Sequence, residues 1–210
     1  MARTRIKICG ITRPEDGIHA ARLGADAIGL VFYPPSPRAV TLKRAEEILA
    51  RLPPFISTVA LFVNPEVEEV ERVLLQLAID LLQFHGGESE PFCRQFSRPY
   101  IKALGVGSGE GLAQEMARYP SARGVLLDTA VQGVAGGSGV TFDWQLIPPP
   151  LRQSITLAGG LSPQNVAAAV RAVRPYAVDV SSGVEAAKGV KDFDRIAHFI
   201  QQVGEADARQ

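Results

Sequence analysis

Two glycine-containing turns, each following an apolar run, constrain this chain more than any other feature. In the first, Ile155-Thr156-Leu157-Ala158 runs into Gly159-Gly160 and then Leu161-Ser162-Pro163. In the second, Ala177-Val178-Asp179-Val180 runs into Ser181-Ser182-Gly183. Each run reads as a strand, and each turn leads into a stretch able to open a helix. A glycine there lets the backbone approach an anion closely, and free N–H groups at a helix start favour negative charge. One such turn is better explained as a plain tight connection. Two on consecutive strand–helix units match the paired-loop phosphate site of a (β/α)8 barrel.

The rest of the chain alternates in the same way. Strand patterns fall at 5–10, 27–32, 57–63, 80–85, 100–104 and 124–128. Helical patterns lie between them, ending near 23 and then spanning 41–52, 65–78, 88–96 and 111–118, with a last helix at 192–203. The segment Thr12-Arg13-Pro14-Glu15 offers a cap, a proline and an acidic first turn for the first helix. Eight such units in 210 residues sit near the lower size limit of the barrel. A doubly wound sheet would alternate similarly, but the paired turns at units seven and eight favour the barrel. The expectation is an α/β fold, a single (β/α)8 TIM barrel over residues 1–210, with 204–210 as a frayed tail.

Composition narrows the setting. The formal net charge is zero, which gives no support for a nucleic-acid or anionic-membrane partner. No apolar run approaches the ~20 residues of a membrane span, and no signal-length apolar segment follows Met1. Cys9 and Cys93 match no zinc or redox spacing. These features point to a cytoplasmic protein, monomer or homodimer, without a metal.

Cys9 and Asp128 end strands one and six at the face where the turns lie, across the barrel mouth from each other. A carboxylic acid and a thiol opposed over a pocket can act as general acid and general base. The thiol serves only as thiolate, so positive charge is needed nearby, and Lys7 on the same strand face is a source. Lys7 is equally suited to pairing with the inward-pointing Asp179. Arg38, on the proline-braced loop 33–38, can clamp a carboxylate through two parallel hydrogen bonds. His85 is placed to line the pocket, although a hydrogen-bonded structural role is the simpler reading. The loop 129–140, with Gly133, Gly136, Gly137 and Gly139, is either a lid, a third phosphate contact or a plain surface loop.

Taken together these residues resemble the phosphoribosylanthranilate isomerases of tryptophan biosynthesis. The resemblance is carried by Lys7-Ile8-Cys9-Gly10-Ile11-Thr12, Ser36-Pro37-Arg38, Gln83-Phe84-His85-Gly86 and Leu127-Asp128. It continues through Gly136-Gly137-Ser138-Gly139, Phe142-Asp143-Trp144, Leu157-Ala158-Gly159-Gly160-Leu161 and 179–185. It implies an Amadori rearrangement of N-(5-phosphoribosyl)anthranilate to 1-(2-carboxyphenylamino)-1-deoxyribulose 5-phosphate, with no cofactor. By this resemblance Asp128 is the general acid, Cys9 the general base, and Arg38 holds the substrate carboxylate. Gly159, Gly160, Ser182 and Gly183, with help from Gly137, hold the phosphate of a phosphorylated sugar-amine. A related barrel isomerase acting on an aminoimidazole carboxamide ribonucleotide would need a second phosphate turn, for which only Gly86-Gly87 offers a hint. A non-catalytic binding barrel would leave the acid and base positions degenerate, whereas both are filled.

Overall fold

The structure, a computed structural model, describes residues 3–107, 110–129 and 141–208. The first strand, β1 (Arg5–Cys9), and the first helix, α1 (Pro14–Leu23), set a unit that repeats. It is followed by β2 (Ala27–Val31), α2 (Leu42–Leu49), β3 (Ser57–Phe62), α3 (Val67–Gln76), β4 (Leu81–Phe84) and α4 (Glu90–Arg94). The second half runs β5 (Tyr100–Val106), α5 (Leu112–Ala117), β6 (Gly124–Thr129), β7 (Ile155–Leu157), α6 (Val166–Val173) and β8 (Ala177–Val180). All neighbouring strands pair in parallel, and β8 pairs with β1 to close the barrel. A short hairpin, β9 (Glu185–Ala187) and β10 (Val190–Lys191), precedes the last helix, α7 (Phe193–Ala208). No described helix is long and apolar enough to cross a membrane.

Strand alternation sorts the side chains. Ile6 and Ile8 are buried in the large core between strands and helices. There Phe84 meets Phe62, Phe92, Phe96 and Tyr100 at ring-centroid distances of 5.7 to 6.3 Å. Cys9 instead joins Val31 and Leu61 in a separate small cluster. Period two places that second set inside the barrel.

Several local expectations are corrected. Thr12 is not the cap of α1: its hydroxyl donates to the Gly189 carbonyl at 2.5 Å, and Arg13 occupies the cap position. The helix expected over 88–96 spans only Glu90–Arg94; its start is displaced past Glu88, which is drawn inward by Lys102 at 3.0 Å. The tail is not frayed through 208. Ala206 is fully buried, and the Asp207 carboxylate accepts from the Thr4 amide and hydroxyl at 2.8 and 2.7 Å. These bonds tie the two ends of the chain together and extend α7.

Candidate active site

The closing register of the barrel builds the floor of the site. Lys7 on β1 stands opposite Asp179 on β8, and their side chains form a buried ion pair at 2.9 Å. Cys9 lies one pleat higher on β1, paired with Gly29. A Cβ at Gly29 would lie 2.7 Å from the Cys9 sulfur and 3.3 Å from Lys7 Cε. Thiol and lysine are therefore neighbours. Both readings of Lys7 hold together: it pairs with Asp179 and it borders the thiol.

This surrounding pulls the thiol in opposite directions. Burial pushes the Cys9 thiol up, Lys7 pulls it down, and Asp179 pushes it up again, leaving the net direction upward. Burial works against the charge on Lys7, but Asp179 and Cys9 more than offset it, so the ammonium is held above its ordinary range. A charged ammonium is thus held beside the thiol.

Asp128, near the end of β6, opens onto the same cavity as Cys9, Arg38, His85, Asp179 and Ser181. Its Oδ1 accepts from the Thr129 amide at 2.7 Å, and its Oδ2 lies 3.3 Å from His85 Nε2. His85 Nδ1 lies 2.9 Å from Nε2 of the fully buried Gln83. His85 thus bridges Gln83 on one ring nitrogen and Asp128 on the other. His85 lines the pocket and is hydrogen-bonded as well. Gln83 went unnoticed in the sequence beyond its place in a motif.

The two glycine turns meet. A Cβ at Gly183 would collide with the Leu161 carbonyl oxygen, so the β8 turn packs directly on the backbone after β7. Gly159 and Gly160 adopt left-handed φ of 85° and 59°, a conformation natural to glycine. The Asn165 side chain braces this turn, accepting from the Ser162 amide at 2.8 Å and donating to the Gly160 carbonyl at 2.9 Å. A Cβ at Gly159 would stand 2.9 Å from Asp128 Oδ1, linking the turn to the carboxylic acid. Ser182 begins a short 3-10 turn, Ser182–Val184. Gly137 lies outside the described residues, as does most of the loop that contains it.

The turn of the first half differs in kind. The Gly86 amide donates to the Glu88 carboxylate at 2.9 and 3.1 Å, and the Gly87 amide to Asn64 Oδ1 at 2.7 Å. An internal carboxylate occupies the place an external anion would take. The hint of a second phosphate turn at Gly86-Gly87 is thereby removed.

Arg38 has a partner within the chain: its guanidinium grips Glu185 of β9, a residue that sequence reasoning gave no role. The hydrogen bonds to Glu185 raise the already high pKa of Arg38 further. Burial works against a charged Glu185, yet Arg38 and Lys191 outweigh it and hold its carboxyl below the usual range.

Residues 6–202 match the family described as N-(5'-phosphoribosyl)anthranilate (PRA) isomerase. A curated member from Stutzerimonas stutzeri strain A1501 is 57% identical over 203 residues, covering 97% of this chain and 98% of that protein. One solved phosphoribosyl anthranilate isomerase, in complex with reduced 1-(o-carboxyphenylamino)-1-deoxyribulose 5-phosphate, superposes with TM-score 0.85 at 40% identity. The alignment covers 96% of this chain and 99% of that one. A structure described as mutually generated monomers of the dimeric enzyme from Thermotoga maritima gives TM-score 0.84 at 39% identity, with the same coverage. Barrel, cavity and relatives agree: the chain belongs to the N-(5'-phosphoribosyl)anthranilate isomerase family.

Proposed function

We propose that the chain catalyses the Amadori rearrangement of N-(5'-phosphoribosyl)anthranilate in tryptophan biosynthesis, with Asp128 as acid and Cys9 as base. The observation that carries this reading is one cavity shared by a thiol, a carboxylic acid and an arginine. In the proposed sequence, Asp128 gives a proton to the furanose ring oxygen as the C1–O bond breaks, and the anilino nitrogen supplies electrons to form a protonated Schiff base. The Cys9 thiolate then takes the proton from C2, leaving an enolamine. Protonation at C1 and loss of the O2 proton complete the ketone. Apart from the opening of the ring C1–O bond only protons move, so the protein's task is to position the sugar and supply the two groups. The phosphate is assigned to the turns at Gly159, Gly160, Ser182 and Gly183, and the aryl carboxylate to Arg38.

Freshly prepared substrate mixed with the wild-type protein tests the reaction itself. The anthranilate fluorescence should fall at a rate proportional to enzyme, with the 1-deoxyribulose product identified by mass and NMR. A folded protein that leaves the fluorescence unchanged beyond spontaneous hydrolysis would refute the reading.

The Lys7–Asp179 pair gives a signed pH prediction. The base must be deprotonated to act, so activity rises with pH through the thiol's pKa. Removing the cation in Lys7→Met raises that pKa and moves the acidic limb of kcat/KM to higher pH. Removing the anion in Asp179→Asn moves the same limb to lower pH. Each variant breaks a buried ion pair, which costs about 3–5 kcal/mol, so melting curves accompany the profiles. Limbs that stay in place in two folded variants would remove Lys7 and Asp179 from the control of the base.

We further propose that the protein works as a cytoplasmic, single-domain homodimer. Phe55 is fully exposed, with relative accessibility of 103%, and it is held at φ 70° on the loop before β3. With the neighbouring Pro53 and Pro54 also exposed, Phe55 tops a contiguous apolar tip that suits insertion into a second copy. Phe55→Glu should shift the sedimentation profile toward monomer with activity retained; an unchanged profile would exclude Phe55 from any interface.

A further inference from the structure

A guanidinium has two edges that can each hold a carboxylate through paired N–H groups. In Arg38 one edge is committed within the chain: Nε donates to Glu185 Oε1 at 2.7 Å and Nη2 to Oε2 at 2.8 Å. The same Oε1 accepts from Lys191 Nζ at 3.0 Å, and Lys191 also donates to the Ser181 carbonyl at 3.0 Å. Glu185 and Lys191 come from the two strands of the β9–β10 hairpin, and both are buried. The arginine is also guided along its length. Its amide donates to Ser36 Oγ at 3.2 Å, and its stem crosses Gly10, where a Cβ would lie 2.5 Å from Arg38 Cδ.

We infer that Glu185 is a positioning residue that holds one edge of Arg38 and turns the other edge, Nη1 with the remaining Nη2 hydrogen, toward the substrate's aryl carboxylate. Lys191 completes the device. Arg38 and Glu185 alone would form a neutral pair with little attraction for another anion. Burial pulls the Lys191 ammonium below its ordinary range, although Glu185 pulls against this. With Lys191 protonated the three groups carry one net positive charge, matched to one carboxylate. The hairpin, which no sequence pattern announced, thus sets selectivity for a carboxylated ring. This inference rests on the reading of Arg38 as the carboxylate's partner.

The test compares two probes by calorimetry: reduced 1-(o-carboxyphenylamino)-1-deoxyribulose 5-phosphate, and the same compound lacking the ring carboxyl group. Wild type should prefer the carboxylated probe. In Glu185→Gln that probe should bind about tenfold more weakly, as expected when a charge-assisted contact loses its aim, while the other probe is little changed. Steady-state KM should rise more than kcat falls, and Glu185→Asp, which keeps the charge, should recover part of the preference. Lys191→Met should weaken the carboxylated probe in the same way. Undiminished or tighter binding of the carboxylated probe by Glu185→Gln would overturn the inference, making Glu185 a bystander or a competitor. Arg38→Ala keeps the two levels apart. If it erases the preference while Glu185→Gln does not, only the positioning role fails; if it leaves the preference intact, the assignment of Arg38 fails as well.

Discussion

Cys9→Ser is expected to lower kcat by about 10²- to 10⁴-fold, the usual contribution of a positioned general base. The substitution is nearly isosteric, so the small cluster with Val31 and Leu61 should survive. The chemistry does not survive it. A serine hydroxyl in the same buried place, even beside the charged Lys7, does not ionise in the working pH range. The thiol does so only with help, because burial pushes it up and Lys7 pulls it down. Binding of the reduced product analogue should change little, since the phosphate and carboxylate grips are elsewhere. A loss confined to kcat separates a base from a mere packing residue. Stopped-flow fluorescence with excess substrate, alongside titration of the analogue, reads both quantities.

Gly183→Ala is expected to damage binding as severely as Cys9→Ser damages chemistry. The added methyl group would collide with the Leu161 carbonyl, which is backbone and cannot rotate away. Either the β8 turn or the strand-seven turn must move, and each contributes amides to the proposed phosphate grip. Losing two charge-assisted hydrogen bonds at about 1.5–3 kcal/mol each corresponds to a loss of roughly a hundredfold or more in kcat/KM. Overpacking adds about 1–3 kcal/mol of destabilisation, visible as a lower Tm. Inorganic phosphate should protect the wild type against thermal unfolding and fail to protect the variant. Unaltered KM and protection would place the phosphate elsewhere.

The barrel was legible because its evidence is local. Alternating strand and helix patterns and two glycine turns needed no knowledge of distant contacts, and Lys7 and Asp179 were matched by strand facing alone. What stayed hidden depends on partners far away in the chain. Glu185 meets Arg38 across 147 residues, and Asp207 meets Thr4 across 203. Neither pairing leaves a mark on the neighbouring sequence. The hairpin escaped notice because Glu185-Ala186-Ala187 has no β-branched alternation; it is held through Lys191 and Arg195, whose Nη1 donates to the Glu185 carbonyl at 2.6 Å. Glu88 looked like a first-turn helix residue, a natural place for an acid. The buried Lys102 competes for it and wins, and α4 starts later as a result.

The central claim is that Asp128 and Cys9 act on one bound sugar as parts of a single sequence. Single-turnover decay of anthranilate fluorescence, with enzyme in excess, tests it for the wild type, Cys9→Ser, Asp128→Asn and the double variant. Each single change should remove most of the rate, and the double variant should be about as slow as the slower single one, because groups acting as a unit are strongly non-additive. Near wild-type turnover in either single variant would contradict the account, and so would losses that simply multiply in the double variant.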